Sequence, residues 1–335
     1  SLGGYGLVDG RVRSNAMMKN TAHGLALAGV MTIGTLAGAG PVPEKRVDGE
    51  SNWLVHMDLE EALGCDLGRM LLEKIEEGID EDPDVAELLG DLELGRDVHG
   101  VTLYGWDGMH DDESMVIIIS GTAALDRIGQ KLGAWHEAMN GDVEIRVAGH
   151  DVWRVGEDDE VIHALTIETG DDERVMLASP GMGWLDKGLQ VIDGKRAGMT
   201  GDAIERAAGG RHDGVILSVL ASDVPGLIGF APVSEIAQKA EALYLAVGQD
   251  GDDAFGVLAL TTENGDEADS IVDIGQGLLA LGRMIARESD ADDFRALLEL
   301  TRGIRLESDG RTVRCSLRVA SEKMSEMLGE VRIGG

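Results

Sequence analysis

Four consecutive apolar residues, Val116-Ile117-Ile118-Ile119, put hydrophobic side chains on both faces of an extended segment. Successive side chains of a strand point to opposite faces, so such a run belongs in the middle of a sheet. Around it the sequence supplies shorter strand patterns: Trp53–Met57, Val98–Tyr104, Val143–Val147, Asp151–Val155, Val161–Thr169 and Val175–Ala178. Later come Val215–Leu220, then Leu243–Val247 and Phe255–Thr261 as a hairpin around the Asp/Gly turn at Asp250–Asp253. Arg305–Glu307 and Arg311–Val319 form another hairpin across Asp309-Gly310, a dipeptide suited to tight turns.

Helical spacing alternates with these runs. Asp58 with Glu61 makes a capping box ahead of Leu59, Leu63, Leu67, Met70 and Leu71 on one face, with Cys65 opposite. Pro83 opens a short helix with Val85, Leu88 and Leu89 inward. Ser120 or Thr122 caps a helix carrying Leu125, Ile128, Leu132 and Trp135, and Trp184–Ile192 forms the next. Glu267–Ile285 is a long amphipathic helix whose stripe is Ile271, Ile274, Leu278 and Leu281. Asp292–Leu300 is a further helix, and Ser321 caps the last, with Met324, Met327 and Leu328 inward. Hairpins among helices predict an α+β fold with largely antiparallel sheets and helices packed on one face.

The chain has 335 residues, which suits two domains. A boundary at 200–213 gives a first α+β domain at 51–199 and a second at 200–335. The segment "MVIIISGTAALDRIGQKL" (115–132) is like "FGVLALTTENGDEADSIVDIGQGL" (255–278): a strand, a hydroxyl residue and a helix in each. Residues 82–105 and 290–319 share a second, looser likeness. Ahead of these halves, residues 18–39 read as a secretory signal. Lys19 precedes an uncharged apolar run from Gly24, and Ala37-Gly38-Ala39 offers a small-x-small cleavage site. The expected organisation is therefore an upstream extension at 1–16, a signal peptide at 17–39 and a linker at 40–50. No later run is long enough for a second span, so a periplasmic or secreted protein with no membrane span after cleavage is expected.

Acidic residues outnumber basic ones 62 to 29, for a net charge of −33. Such a field repels phosphate backbones and anionic membrane surfaces, so nucleic acid is excluded as a partner. The two cysteines make neither a disulfide framework nor a zinc ribbon; a buried free thiol is the state expected of Cys315, and pairing with Cys65 stays open. With signal, helices and hairpins taken together, and on phrases such as "VHMDLEEAL" (55–63) and "SDGRTVRCSLRV" (308–319), the chain resembles uncharacterised exported bacterial proteins with two tandem α+β, ferredoxin-like or split, halves. That resemblance implies a fold and carries no activity.

Chemical motifs are sparse. Pro180-Gly181-Met182-Gly183 leads into a helix, but Asp186 stands where a dinucleotide fingerprint needs its third glycine, so no cofactor is expected. The weak metal candidates are Asp107, His110 and Asp112 in one loop, and Asp250, Asp252 and Asp253 in another. The latter begins like a calcium loop and then departs from it at Ala254 and Glu263. His56 and His163 lie in strand patterns and read as structural. The function expected is a non-catalytic envelope or extracellular protein that binds another protein, with weak affinity for divalent cations. The alternatives are a carboxylate-dependent hydrolase with its site between the halves and a weak calcium-dependent interaction module.

Overall fold

The computed structural model describes residues 43–107, 114–141, 143–156, 161–170, 172–200, 213–222, 239–288 and 302–324. The stretches read as signal peptide and upstream extension, the acidic residues 157–160 and the helix expected at 292–300 lie outside them, as do His110, Asp112, Met327 and Leu328.

The strand patterns become β1 (Trp53–Asp58), β2 (Val98–Gly105), β3 (Met115–Thr122), β4 (Arg146–Val147), β5 (His150–Asp151), β6 (Trp153–Val155), β7 (Ile162–Glu168), β8 (Glu173–Ser179), β9 (Val215–Ala221), β10 (Ala240–Asp250), β11 (Asp253–Thr262), β12 (Arg305–Asp309) and β13 (Thr312–Ala320). The described helices are α1 (Leu59–Gly64), α2 (Asp66–Glu81), α3 (Pro83–Leu89), α4 (Leu125–Asn140), α5 (Met182–Ile192) and α6 (Gly265–Glu288). Apart from the small β4–β5 hairpin, these strands form one sheet in the order β12-β13-β11-β10-β9-β1-β2-β3-β8-β7-β6. Every pairing in it is antiparallel.

The α+β class and the antiparallel pairing are as the hairpins predict. The sheets of the two halves are joined edge to edge, because β1 pairs with β2 on one side and β9 on the other, Leu54 lying opposite both Tyr104 and Leu220. Both strands are apolar on both faces, which favours interior positions. A side-chain tie reinforces the junction. The buried Gln249 of β10 accepts a hydrogen bond from the Leu67 amide at the start of α2 at 2.9 Å.

One face of the sheet packs Val55, Met57, Leu103 and Ile117 against Leu67 and Leu71 of α2, Leu88 of α3 and Leu125, Ile128 and Leu132 of α4. The other face packs Leu54, Tyr104, Val116 and Ile118 against Leu185 and Leu189 of α5. So the helices are not confined to one face. Val116 and Ile118 face opposite to Ile117, and α5 gives them cover. Burial of each such side chain contributes about 1.5–3 kcal/mol.

Local details follow the side chains. Asp58 caps α1 by accepting from the Glu61 amide at 2.8 Å. The single helix expected around Cys65 is two. Cys65 is extended between α1 and α2 and caps α2, its Sγ accepting from the Gly68 amide at 3.3 Å. Gly310 turns the β12–β13 hairpin at φ 58°. Of the stretch read as a linker, residues 43–50 are held to the end of the first half. Val47 is buried, its carbonyl accepts from the Met199 amide, and the Asp48 carboxylate, with no exposed surface, pairs with Arg196, which also reaches Glu50.

Removing the cation would strand a buried carboxylate. Arg196→Met is expected to lower unfolding free energy by about 2–4 kcal/mol, measured by urea denaturation against wild type. A loss well under 1 kcal/mol would mean that the Glu50 amide, 3.0 Å from Asp48 Oδ1, satisfies the carboxylate without Arg196.

Candidate functional site

Helix α6 begins as a packed helix and ends as an exposed one. Asn264 Oδ1 accepts from the Glu267 amide at 3.0 Å and fixes the start. Ala268, Ile271 and Val272 are buried against Leu243, Leu260 and Val313. At Gly275 a Cβ would lie 2.4 Å from Leu306 Cδ2 of β12, so glycine lets the helix touch the edge strand. From Ile274 onward the expected inward stripe turns outward: Ile274 is 49%, Leu278 57% and Leu281 47% exposed, and Met284 beside them 53%. Only Ile271 of the four residues assigned to that stripe is buried.

The first half shows why. Ile128-Gly129-Gln130 of α4 corresponds to Ile274-Gly275-Gln276 of α6, and each helix follows the third strand of its half and lies over that half's last strands. Leu125 and Ile271 are buried alike. Ile128 and Leu132, however, are buried in one cluster with Leu88 of α3, whereas their counterparts Ile274 and Leu278 are exposed. Helix α3 is held beside α4 by Lys131, whose Nζ donates to the Glu87 carbonyl and the Asp91 carboxylate, and by Arg127, which donates to the Asp91 carbonyl. In addition, β6 extends the sheet beneath α4, with Trp153 crossing at Gly129 and Gly133. A Cβ there would lie 2.8 Å from Trp153 Cη2 and 3.2 Å from Nε1 respectively. In the second half β12 is the outermost strand among the described residues. Six large apolar side chains stand exposed among the described residues, and four of them lie on this one helix.

The acidic candidates have other partners. Asp250 and Asp253 flank the β10–β11 turn and both face Arg318 of β13, at 3.1 and 3.4 Å. Asp252 is exposed and its carbonyl accepts from the Ser321 amide. Asp107 is exposed just beyond β2, and the structure does not bring it to the other three. Among the described residues no group of three or more His, Cys, Asp or Glu is placed to hold a metal ion.

For hydrolysis the described residues offer no facing walls where the halves join, at the hydrogen-bonded β1–β9 pair. An open groove of about 580 Å³ lies instead within the first half, lined by Asp126, Gln130, Trp153, Thr166, Glu168 and Arg174. Its two carboxylates already hold a guanidinium: Arg174 Nε is 3.2 Å from both oxygens of Asp126 and Nη1 is 3.7 Å from Glu168. Both cysteines carry free thiols, and burial raises the pKa of each.

His56 is deeply buried on the α5-side face of β1, its Nδ1 2.8 Å from Thr102 Oγ1. Burial pushes its pKa down to about 4, opposed by a hydrogen bond with the Val101 backbone. His163 is also shifted down, chiefly by burial, with Nδ1 3.2 Å from the Pro180 carbonyl. Sequence patterns miss one cluster altogether. Trp106 stacks on Trp184 at 4.6 Å, with Lys187 Nζ 3.7 Å from the Trp184 ring centre. Its residues come from two segments some eighty positions apart, and no local spacing joins them.

No protein-family model matches the chain, and no curated protein matches it. Among solved structures, crystal form III of TP0453, from Treponema, aligns with a TM-score of 0.45 and 9% identity, covering 88% of this chain and 100% of that one. Form I gives 0.41 and 9% over 87% and 97%, and form IV 0.42 and 10% over 87% and 98%. A likeness of this size carries no argument about what the chain does. Among the described residues no helix is long and apolar enough to cross a membrane.

His56 gives a pH test. Its folded pKa lies below the ordinary 6.5, so the fold favours the neutral imidazole; the contribution is complete above pH 6.5 and lost as pH falls toward 4. The stability difference between wild type and His56→Gln should therefore shift against wild type by about 3 kcal/mol between pH 7.5 and pH 4, read from urea unfolding at each pH. A difference independent of pH would show that His56 is solvated.

Proposed function

We propose that this chain is a non-catalytic exported protein, periplasmic or secreted, that acts by binding another envelope or extracellular protein. The observation that carries the binding role is the exposed stripe Ile274-Leu278-Leu281-Met284 on α6. A contiguous apolar surface on a soluble body marks a contact site more often than chance exposure does. Its rarity here sharpens the point, since the rest of the chain is dominated by 62 acidic residues. The groove at Trp153 supports no competing reading, because its acids are engaged by Arg174. At the Asp250–Asp253 turn Arg318 already supplies the positive charge a cation would bring. Export is supported by the apolar run ending at Ala37-Gly38-Ala39.

Two measurements test this. A photo-crosslinking residue placed at Leu278 in the native cell should give an adduct with one protein, identified by mass spectrometry, and Leu281→Glu should abolish it. No adduct, or one indifferent to Leu281→Glu, would remove the α6 surface from the proposal. N-terminal sequencing of the chain recovered from outside the cytoplasm should begin at Gly40. Recovery of the chain in the cytoplasm alone, with the apolar run intact, would end the exported reading.

A further inference from the structure

The geometry points to the groove beside α4 as a binding site for a neutral oligosaccharide; this goes beyond the protein-binding role and does not depend on it. The groove draws its polar groups from three elements. Glu168 of β7 and Arg174 of β8 lie opposite each other in the strand pair, and Asp126 lies in the first turn of α4, where a carboxylate complements the helix dipole. Arg174 Nε donates to both Asp126 oxygens at 3.2 Å, and Nη1 donates to the Glu173 carbonyl at 3.3 Å. The guanidinium is thus fixed in place, while its Nη2 has no hydrogen-bond partner among the described residues. Gln130, one turn on from Asp126, is exposed, and its carboxamide has no such partner either. Trp153 supplies the aromatic part of the lining. The other tryptophans are spent elsewhere: Trp53 is buried, Trp135 packs against the core of the first half, and Trp106 and Trp184 stack together beside Lys187. Glycines at 129 and 133 let the half-buried Trp153 ring lie against the helix backbone.

Charge narrows the ligand. Two carboxylates against one guanidinium leave the groove negative, within a chain of net charge −33, so a phosphate or carboxylate ligand meets repulsion. A small cation meets Arg174 already seated between the acids, 3.2 Å from Asp126 and 3.7 Å from Glu168. An apolar ligand would take water from the carboxylates, guanidinium and carboxamide without replacing its hydrogen bonds. A neutral sugar answers each of these groups. Its hydroxyls both donate and accept, so one can donate to Asp126 or Glu168 while accepting from Arg174 Nη2 or the Gln130 carboxamide. Its C–H face packs on an indole, which offers a large apolar surface. The ion pairs that remove the two acids from hydrolysis are what hold them in place as acceptors. The volume of about 580 Å³ falls in the range of roughly 300–1,000 Å³ usual for small-molecule sites, and the open form lets a chain of sugars run through.

The test follows the Trp153 indole N–H resonance of the purified full chain, labelled with nitrogen-15, during titration with cellotetraose, maltotetraose and chitotetraose. Trp153→Phe identifies that resonance among the five tryptophans. At least one of the three sugars should shift it saturably, and Gln130→Ala should weaken that binding about fivefold. Gln130 is exposed, so its variant should melt as wild type does; where Trp153→Phe does not fold, wild type and Gln130→Ala are compared on the sugar's saturation-transfer signal. Failure of all three sugars to bind at about 10 mM overturns the inference, as does equal affinity of Gln130→Ala. Tighter binding of tetragalacturonate, an acidic tetrasaccharide, overturns the neutral ligand. Saturable binding of tetra-alanine at the same resonance, with none of the sugars bound, would assign the groove to peptide and overturn it too.

Discussion

The pairing of β1 with β9 is the constraint on which the molecule depends. Five residue pairs, from Trp53 opposite Ala221 to Met57 opposite Leu217, turn what would be two edge strands into the centre of one sheet. An unpaired edge of this composition would invite association with other chains. Pairing the two edges with each other satisfies their backbone groups and buries both faces of Leu54, Val55, Ile216 and Leu217 at once. Among the described residues the hydrogen-bonded seam leaves no cleft, and the outermost strands are β12, with Arg305, Glu307 and Asp309, and the three-residue β6. Charged side chains on the first and shortness of the second are familiar ways of keeping an edge from pairing.

The exposed stripe of α6 is best compared with its buried counterpart in the same layout. Each half builds outward from the seam through three strands, then sends a helix back over its last strands. The first half adds β6 and places α3 beside its helix, and the stripe of α4 is consumed in the core. In the second half β12 is the outermost described strand, while the helix is 24 residues long against 16 for α4. Six of the extra residues precede Ile271, at the packed end, so length does not expose the stripe; the same Ile-Gly-Gln sequence is covered by α3 in the first half and by no described helix in the second.

Much of the fold was legible in the sequence because period two and period three-to-four patterns report which side of an element is apolar. Asp58 capping α1, the Asp309-Gly310 hairpin, the central position of β3 and the helix after it all rest on interactions within a few residues. What stayed hidden depends on distant partners. Nothing local says that β1 chooses β9, that α5 covers Val116 and Ile118 from the opposite face, or that Cys65 breaks a helix to cap the next one. The α6 stripe shows the limit most clearly. Its periodicity was readable, but periodicity gives only the existence of an apolar face. Whether the chain covers it depends on where the sheet ends. The internal likeness between 115–132 and 255–278 was the available signal, since it placed Ile128 and Ile274 in equivalent positions whose fates could then be compared.

The acidity and the stripe constrain each other. At physiological ionic strength charges are screened beyond about 8 Å, so the overall charge of −33 weakens as a long-range barrier but governs contact. A partner approaching most of this surface must set its own groups against carboxylates. On α6 the residues from Ile274 to Met284 contain no acid, and the nearest carboxylates, Asp269 and Asp273, lie at one end. Apolar contact there releases water from the leucines with no carboxylate to desolvate, while Asp269 and Asp273 bear on a partner only at the Ile274 end. Affinity would come from the apolar side chains and selection from the rim, the usual division between the core and edge of an interface.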